Sequence, residues 1–484
     1  MARRDTLADY FESFAHYPDQ FLQHFDGYRT RRFTYRQTAD AARVFALRLR
    51  GAGITKGDSV LFWSENRPEW IAAMWGCIIS GVVVVPVDYR TSLSLLGRIA
   101  EISNARLLLT GEEVQLPQPP AGLDVWPLAS VEWKAPAEPV PQVTISRDDT
   151  AEVLFTSGAT AEPKGVVIRH RNVLANIVPV EGEVIRYRRW QKPFAPIRFL
   201  NLLPLSHMFG QSMATFVPPM LPGVVLFLHG YNPRDIVDQI RSERVSVLVC
   251  VPKILEVLRE YVLAQAPAAA EEPVPGSRWP QRWWQYRTVH RLFGWKFWSF
   301  VVGAAPLDPE LEEWWRRMGY VLIQGYGLTE TAPIVTLNHP FHTQKGSVGK
   351  PIGGVDVRIA EDGEILVRGE NVTSGYLNPD NDSARAFEDG WFHTGDIGSM
   401  DAEGRLTIRG RKKEMIVTPE GLNVFPEDVE RVMNAVPGVV DSAVVGTDRV
   451  GAVLVLADGA DAEAAVRTAN EKLEDHQKVR SFHV

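Results

Sequence analysis

Apolar positions follow two rhythms along this chain. Thr38 to Leu49 repeats them at helical spacing and predicts an amphipathic helix. Ser59 to Trp63, Val82 to Val87, Arg106 to Leu109 and Val153 to Phe155 are short continuous apolar runs, which read as buried strands, with a helix over Glu69 to Ser80. Trp70 to Val87 is uncharged and just reaches membrane-spanning length. Gly76, Gly81 and Pro86 interrupt it, so it reads as a core helix, a turn at Gly81 and a strand. A second alternating block follows at Phe199 to Leu203, Val224 to Leu228, Val245 to Val251, Phe297 to Val302 and Tyr320 to Gln324. Such alternation predicts α/β layers around largely parallel sheets. Residues 111–142 read as a surface connection, and Ala264 to Pro280 as a mobile loop. Past Pro340, short strands such as Val355 to Ala360 and Glu364 to Arg368 alternate with Gly and Asp turns, predicting a small antiparallel β unit. Glu427 to Asn434 then reads as a helix, with strands at Val439 to Val445 and Val450 to Leu456. The fold class is therefore α/β. A large N-terminal domain of layered α/β subdomains spans 1–409, with the β unit at about 341–409. A small α+β C-terminal domain follows at 410–484.

Composition narrows the function classes. The 484 residues are 45% hydrophobic and 23% charged, which is globular, and about 150 residues per domain predicts roughly three domains or subdomains. A net charge of −7 argues against a nucleic-acid binder. Cys77 and Cys250 lie far apart, which excludes a cysteine zinc site and a disulfide framework and fits a reducing cytosol. Met1 to Tyr10 has no apolar stretch of the secretory type, so a cytoplasmic location is expected.

Four polar segments interrupt the apolar pattern. Thr156 to Gly165 (TSGATAEPKG) follows a strand; its small residues let backbone N–H groups approach an anion, and Lys164 adds charge. It reads as a phosphate-cradling loop or, equally, as a polar hairpin turn. Gln324 to Thr331 (QGYGLTET) offers an aromatic ring, a hydroxyl and a carboxylate, suited to a nucleotide with magnesium or to a capped turn. Trp391 to Gly398 (WFHTGDIG) places Asp396 in a turn, where a carboxylate can accept both hydroxyls of a ribose. Gly410 to Glu430 (GRKKEMIVTPEGLNVFPEDVE) is a basic turn before a helix.

In this order and spacing the four segments resemble the adenylate-forming superfamily, from about Tyr35 to the end. Pro204 to Gly210 (PLSHMFG) and Gly303 to Pro306 (GAAP) resemble two further family stretches. The resemblance implies a large domain holding the active site, a small mobile C-terminal domain and two half-reactions. An acid attacks the α-phosphorus of ATP to give acyl-AMP, and a thiol, usually coenzyme A, then takes the acyl group. It implies that Thr156, Ser157, Gly158, Thr160, Lys164 and Gly165 form the phosphate loop. Gly303 and Ala304 would lie beneath adenine. From the next segment, Gln324, Gly325, Tyr326 and Gly327 would flank the base, with Tyr326 stacked on it. Thr329 would touch the α-phosphate and Glu330 would hold Mg2+. Asp396 and Arg411 would hold the ribose, Lys413 would sit at the hinge, and Gly421 would line the channel for the thiol. Lys164, Thr329, Glu330 and, at the acyl pocket, His207 would carry the catalysis. Ala159 and Ala161 depart from the usual loop, removing one hydroxyl donor and one glycine.

The segment after Gly421 resembles the long-chain fatty acyl-CoA synthetase branch. Asn201 to Pro233 holds no acidic residue, which disfavours an amino-acid substrate whose ammonium would lie unpaired. Met208, Phe209, Met213, Phe216 and Met220 suit an alkyl chain or the lining of a core helix. The expectation is activation of a medium- to long-chain fatty acid and its transfer to coenzyme A. A carrier protein as acceptor, or a non-catalytic acyl or nucleotide binder, stays open. Arg278 to Trp298 carries five Trp and five basic residues with no acid, and Arg186 to Lys192 is similar; this reads either as a weak peripheral contact through 278–298 with the inner membrane face or as a Trp-rich core seam with a solvated basic edge. The resemblance also implies a lysine-bearing loop beyond Val484. A chain ending there is expected to be impaired in adenylation, and Lys472 and Lys478 are not assigned to that role.

Overall fold

Two parallel-rich sheets stand at the centre of the computed structural model, which describes residues 4–25, 28–118, 122–156, 163–191, 195–339, 344–379, 385–419, 422–447 and 449–484 (backbone only at 187–191 and 279–280). The first sheet has the spatial order Asp124–Pro127, Ala105–Thr110, Ser59–Trp63, Val83–Val87, Thr150–Thr156, Lys164–Arg169. Its strands run parallel until the last, which turns back on Thr150–Thr156 as a hairpin pairing Thr156 with Lys164. The second sheet has nine strands. Gln20–Phe25, Val224–Phe227, Arg198–Asn201, Val247–Cys250, Ser299–Val302 and Val321–Tyr326 run parallel, and antiparallel strands close both edges. Ser59–Trp63 and Val83–Val87 are buried along their whole length, the condition in which a continuous apolar run forms a strand.

Pro68 opens the helix Pro68–Ser80, where its missing N–H costs nothing, and Gly81 ends it at φ 67°. Every residue from Pro68 to Ile78 is buried. Gly76 lets the helix approach Tyr35–Gly51: a Cβ there would lie 2.7 Å from the Ala42 carbonyl. No helix among the described residues is long and apolar enough to cross a membrane.

Residues 111–142 include the short strand Asp124–Pro127 and buried Leu128 and Val131, so they are more than a surface connection. Within Ala264 to Pro280, expected as a mobile loop, the 3-10 turn Pro267–Ala270 is held in place: Ala269 is buried and its carbonyl accepts from the Arg317 guanidinium at 2.8 Å. The β unit is a five-stranded antiparallel sheet running from Val355–Ile359 to Leu406–Arg411, whereas Lys350–Pro351 belongs to the nine-stranded sheet. Lys412 extends the unit by pairing with Asp362 (2.6 Å) and Glu364 (2.9 Å). Beyond it, Pro426–Asn434 and Ala462–Asn470 cover a three-stranded sheet around a separate core that includes Val429, Met433 and Leu454.

Candidate active site

The strand Val321–Tyr326 delivers Gln324, Gly325 and Tyr326 to one end of the nine-stranded sheet, and the chain then turns through Thr329–Thr331. Gly327 is required there, since a Cβ would fall 1.6 Å from the Pro333 carbonyl. Two buried asparagines hold the turn. Asn176 and Asn371 each donate to the Thr331 carbonyl at 3.2 Å, and Asn176 also accepts from the Ile334 N–H at 2.6 Å. Sequence reasoning missed both, since an asparagine far along the chain carries no local signal for such a contact.

Asp396 stands on the ten-residue strand Trp391–Met400 rather than in a turn, because the antiparallel partner Leu406–Arg411 extends the ladder through it and sets Asp396 directly opposite Arg411. The Tyr326 hydroxyl donates to Asp396 Oδ2 at 2.6 Å, and the Arg411 guanidinium lies 3.0 Å from Oδ1. Burial raises the Asp396 carboxyl above the usual carboxylate range, while the Tyr326 hydrogen bond and the Arg411 charge pull it back. Four lone-pair sites on a carboxylate leave room for further donors beside these two.

These groups open onto a cleft of about 2460 Å³, which Gly303, Ala304, Gln324, Gly325, Tyr326, Gly327, Thr329, Asp396, Arg411 and His207 all line. Gln324 Oε1 is buried there with no hydrogen-bond partner among the described residues, an acceptor fitted to a ligand N–H such as an adenine amino group. Gly303 meets the Phe209 ring, which a Cβ would approach to 2.8 Å. Met208, Phe209 and Met213 line the cleft, but Phe216 and Met220 do not; they pack in the large core, Phe216 edge-on to Trp75, because the segment turns a second apolar face away from the cleft. His207 is largely exposed at the cleft wall, 3.9 Å from Asp88.

Thr156, Lys164, Gly165 and Glu330 lie beside that lining. The strand Lys164–Arg169 packs on the Thr329–Thr331 turn and brings its hairpin close to Glu330. Thr156 and Lys164 pair across the two strands as the hairpin reading expects, and residues 157–162 between them lie outside the described residues. Ser157, Gly158 and Thr160, like Gly421, lie outside the described residues. Lys413 is exposed in the turn after Arg411 and does not line the cleft. Among the described residues no three His, Cys, Asp or Glu side chains converge on a metal position. One carboxylate at Glu330, with substrate phosphates completing the shell, suits magnesium, which binds through one or two carboxylates plus phosphate oxygens.

Residues 10–377 match the AMP-binding enzyme family. The chain belongs to that family. It is 30% identical over 446 residues to a feruloyl-CoA synthase from Amycolatopsis sp, covering 88% of this chain and 84% of that one. It is also 30% identical over 473 residues to a long-chain-fatty-acid–CoA ligase from Mycobacterium bovis, covering 87% of this chain and 77% of the other. The o-succinylbenzoate CoA synthetase of Bacillus subtilis, solved with ATP and magnesium ion, shares the fold at a TM-score of 0.80, with 24% identity and coverage of 98% and 95%. The adenylate-forming resemblance and the α/β class with a large N-terminal and a small C-terminal domain are borne out. This AMP-binding enzyme is an ATP-dependent, AMP-forming acid–CoA ligase that uses ATP, Mg2+ and coenzyme A.

Proposed function

We propose that the acid is a medium- to long-chain fatty acid, activated as acyl-AMP and passed to coenzyme A. The observation that supports it most is the apolar face running from the Gly303 end of the cleft across the nine-stranded sheet. Phe199, Val247, Val301 and Ile323 from four neighbouring strands meet Phe209, Met213 and Trp298 in one cluster, and all of these line the cleft. An alkyl chain laid there gains about 0.8 kcal/mol per buried methylene, so affinity should rise with chain length.

In this reading Asp396 and Arg411 hold the ribose, Gln324 receives a donor from the base, and Lys164 and Thr329 hold the phosphates. Magnesium, when bound, neutralises charge on the triphosphate, and Glu330 is the carboxylate placed to hold it. The chain's own contribution is mostly positioning of the acid against the α-phosphorus and electrostatic stabilisation of the charge that develops there. His207 stands at the cleft wall. The strand Leu406–Arg411 and the Lys412 ion pairs belong to the β unit, so the small domain begins after Lys412 and Lys413 stands at its hinge.

Pyrophosphate release with ATP and Mg2+ across fatty acids from C2 to C18, ferulate and 2-succinylbenzoate, with mass spectrometry of products with and without coenzyme A, tests this. Highest kcat/KM with C8 or longer acids and an acyl-CoA product is the expected result. A preference for either aromatic acid, or acyl-AMP that never passes to coenzyme A, overturns it.

A contact with an anionic membrane surface is part of this reading. Trp284 and Trp295 are 65% and 68% exposed, with Arg287 and Lys296 over their rings, and Trp283, Trp295 and Trp298 line the cleft. Tyr286, Val289 and Phe293 of the same segment are core residues, so only part of it is available. Basic groups beside exposed Trp suit an interface that delivers an alkyl acid. Flotation with anionic vesicles at low salt should show binding that Arg287→Glu with Arg291→Glu abolishes; unaltered binding counts against it.

A further inference from the structure

The segment 373–378 touches both halves of the phosphate region. Its Tyr376 hydroxyl donates to Glu330 Oε1 at 2.9 Å, and its Thr373 N–H donates to the Glu330 carbonyl at 2.8 Å. The two residues after Tyr376 grip the hairpin. The Leu377 N–H donates to the Gly165 carbonyl at 2.7 Å. Asn378 Oδ1 accepts from the Gly165 N–H at 3.2 Å, and its Nδ2 donates to the Pro163 carbonyl at 2.9 Å. The two residues that Asn378 holds flank Lys164 on either side.

We propose that residues 373–378 act as a clamp that positions the magnesium carboxylate and the phosphate-loop lysine together, Tyr376 through Glu330 and Asn378 through Lys164. Both are positioning residues, and the proposal rests on the assignment of Glu330 and Lys164 given above. A hydroxyl bonded to one carboxylate oxygen fixes the carboxylate's rotamer and leaves Oε2 to face a cation. Such supporting hydrogen bonds typically govern metal affinity by about 10–100-fold. Asn378 fixes the backbone on both sides of Lys164 and so limits where the ammonium can reach, without touching the metal carboxylate. The clamp therefore has two separable outputs from one short segment: cation affinity at its Tyr376 end and anion affinity at its Asn378 end.

The test uses the full chain with a non-hydrolysable ATP analogue and Mn2+ as the metal probe, free Mn2+ being read by EPR. Tyr376→Phe removes only the hydroxyl. It should weaken Mn2+ binding about tenfold in the presence of the analogue, and leave metal-free analogue binding unchanged. Glu330→Gln should weaken Mn2+ binding at least as far, and the double variant should be no weaker than Glu330→Gln alone. Asn378→Ala should weaken metal-free analogue binding severalfold and leave the Mn2+ affinity of the analogue complex within twofold. Thermal melts identify any variant that fails to fold, in which case Asn378→Gln, which keeps both an amide donor and an acceptor, replaces Asn378→Ala and should lose less. Wild-type Mn2+ affinity in Tyr376→Phe beside a defective Glu330→Gln overturns the clamp alone. So does a double variant whose loss is the product of the two single losses. Wild-type Mn2+ affinity in Glu330→Gln overturns the site assignment itself.

Discussion

Tyr326 and Asp396 are 70 residues apart in the chain, and a 2.6 Å hydrogen bond from the tyrosine hydroxyl to Oδ2 ties the strand Val321–Tyr326 of the large sheet to the β unit. The bond stabilises the ionised carboxylate against its burial. Removing the hydroxyl in Tyr326→Phe therefore raises the Asp396 carboxyl further above the usual range. Nucleotide binding that needs the charged form should then fail at a higher pH than in the wild type. Affinity for an ATP analogue measured from pH 4 to 8 reads this directly, and Arg411→Ala should move the acid limb the same way. A superimposable profile in both variants would show that Asp396 does not govern binding.

Loss of single charged contacts should be graded by role. Lys164→Ala and Glu330→Ala should weaken use of ATP with magnesium, and Asp396→Ala should weaken binding of AMP and ATP alike. Each charge-assisted contact contributes about 1.5–3 kcal/mol. Equilibrium binding of the two nucleotides, with pyrophosphate release, separates the three variants. Unchanged adenylate formation in all of them counts against the assignment.

Gly327→Ala tests backbone geometry rather than charge. The added methyl would lie 1.6 Å from the Pro333 carbonyl, so the Thr329–Thr331 turn must move. Overpacking against rigid backbone costs about 1–3 kcal/mol or more. A lowered melting temperature with weakened ATP-analogue binding is expected, whereas Gly51→Ala, with nothing near its Cβ position, should leave binding as it is.

Glu152, buried on the strand Thr150–Thr156, is raised by burial from 4.5 to about 8, with Gln211 pulling weakly the other way. Between those values the folded chain holds a proton that the unfolded chain has released. Stability contributed by this group is therefore complete below about pH 4.5 and declines as pH rises towards 8, by at most about 1.4 kcal/mol per pH unit. Glu152→Gln cannot titrate. The melting temperature of the variant relative to wild type should climb steadily from pH 5 to pH 8 and level off above it. A constant difference would mean that Glu152 does not stay protonated in the fold.

Much of the fold was readable from local pattern. Ser59–Trp63 and Val439–Val445 form as the apolar runs predict, and Gly81 ends its helix where a left-handed residue is needed. The segments QGYGLTET and WFHTGDIG, each readable as part of a nucleotide site or as a capped turn, both reach one cleft. The Gly-Tyr-x-Asn sequence at 375–378, a turn signal followed by two polar side chains, could have been read in the same way.

What tertiary structure alone decided concerns partners far apart in sequence. Met213 and Phe216 carry the same apolar signature, yet one lines the cleft and the other packs on Trp75, because burial in a core and burial against a ligand satisfy the same hydrophobic pattern. Asp396 became a strand residue only when Leu406–Arg411 supplied its ladder partner, since no apolar alternation around it marks a strand. Periodicity reports which face of an element avoids water. It does not report which other element that face meets, so Asn176 and Asn371 at Thr331, or Tyr376 at Glu330, could emerge only once packing had brought distant segments within hydrogen-bonding distance.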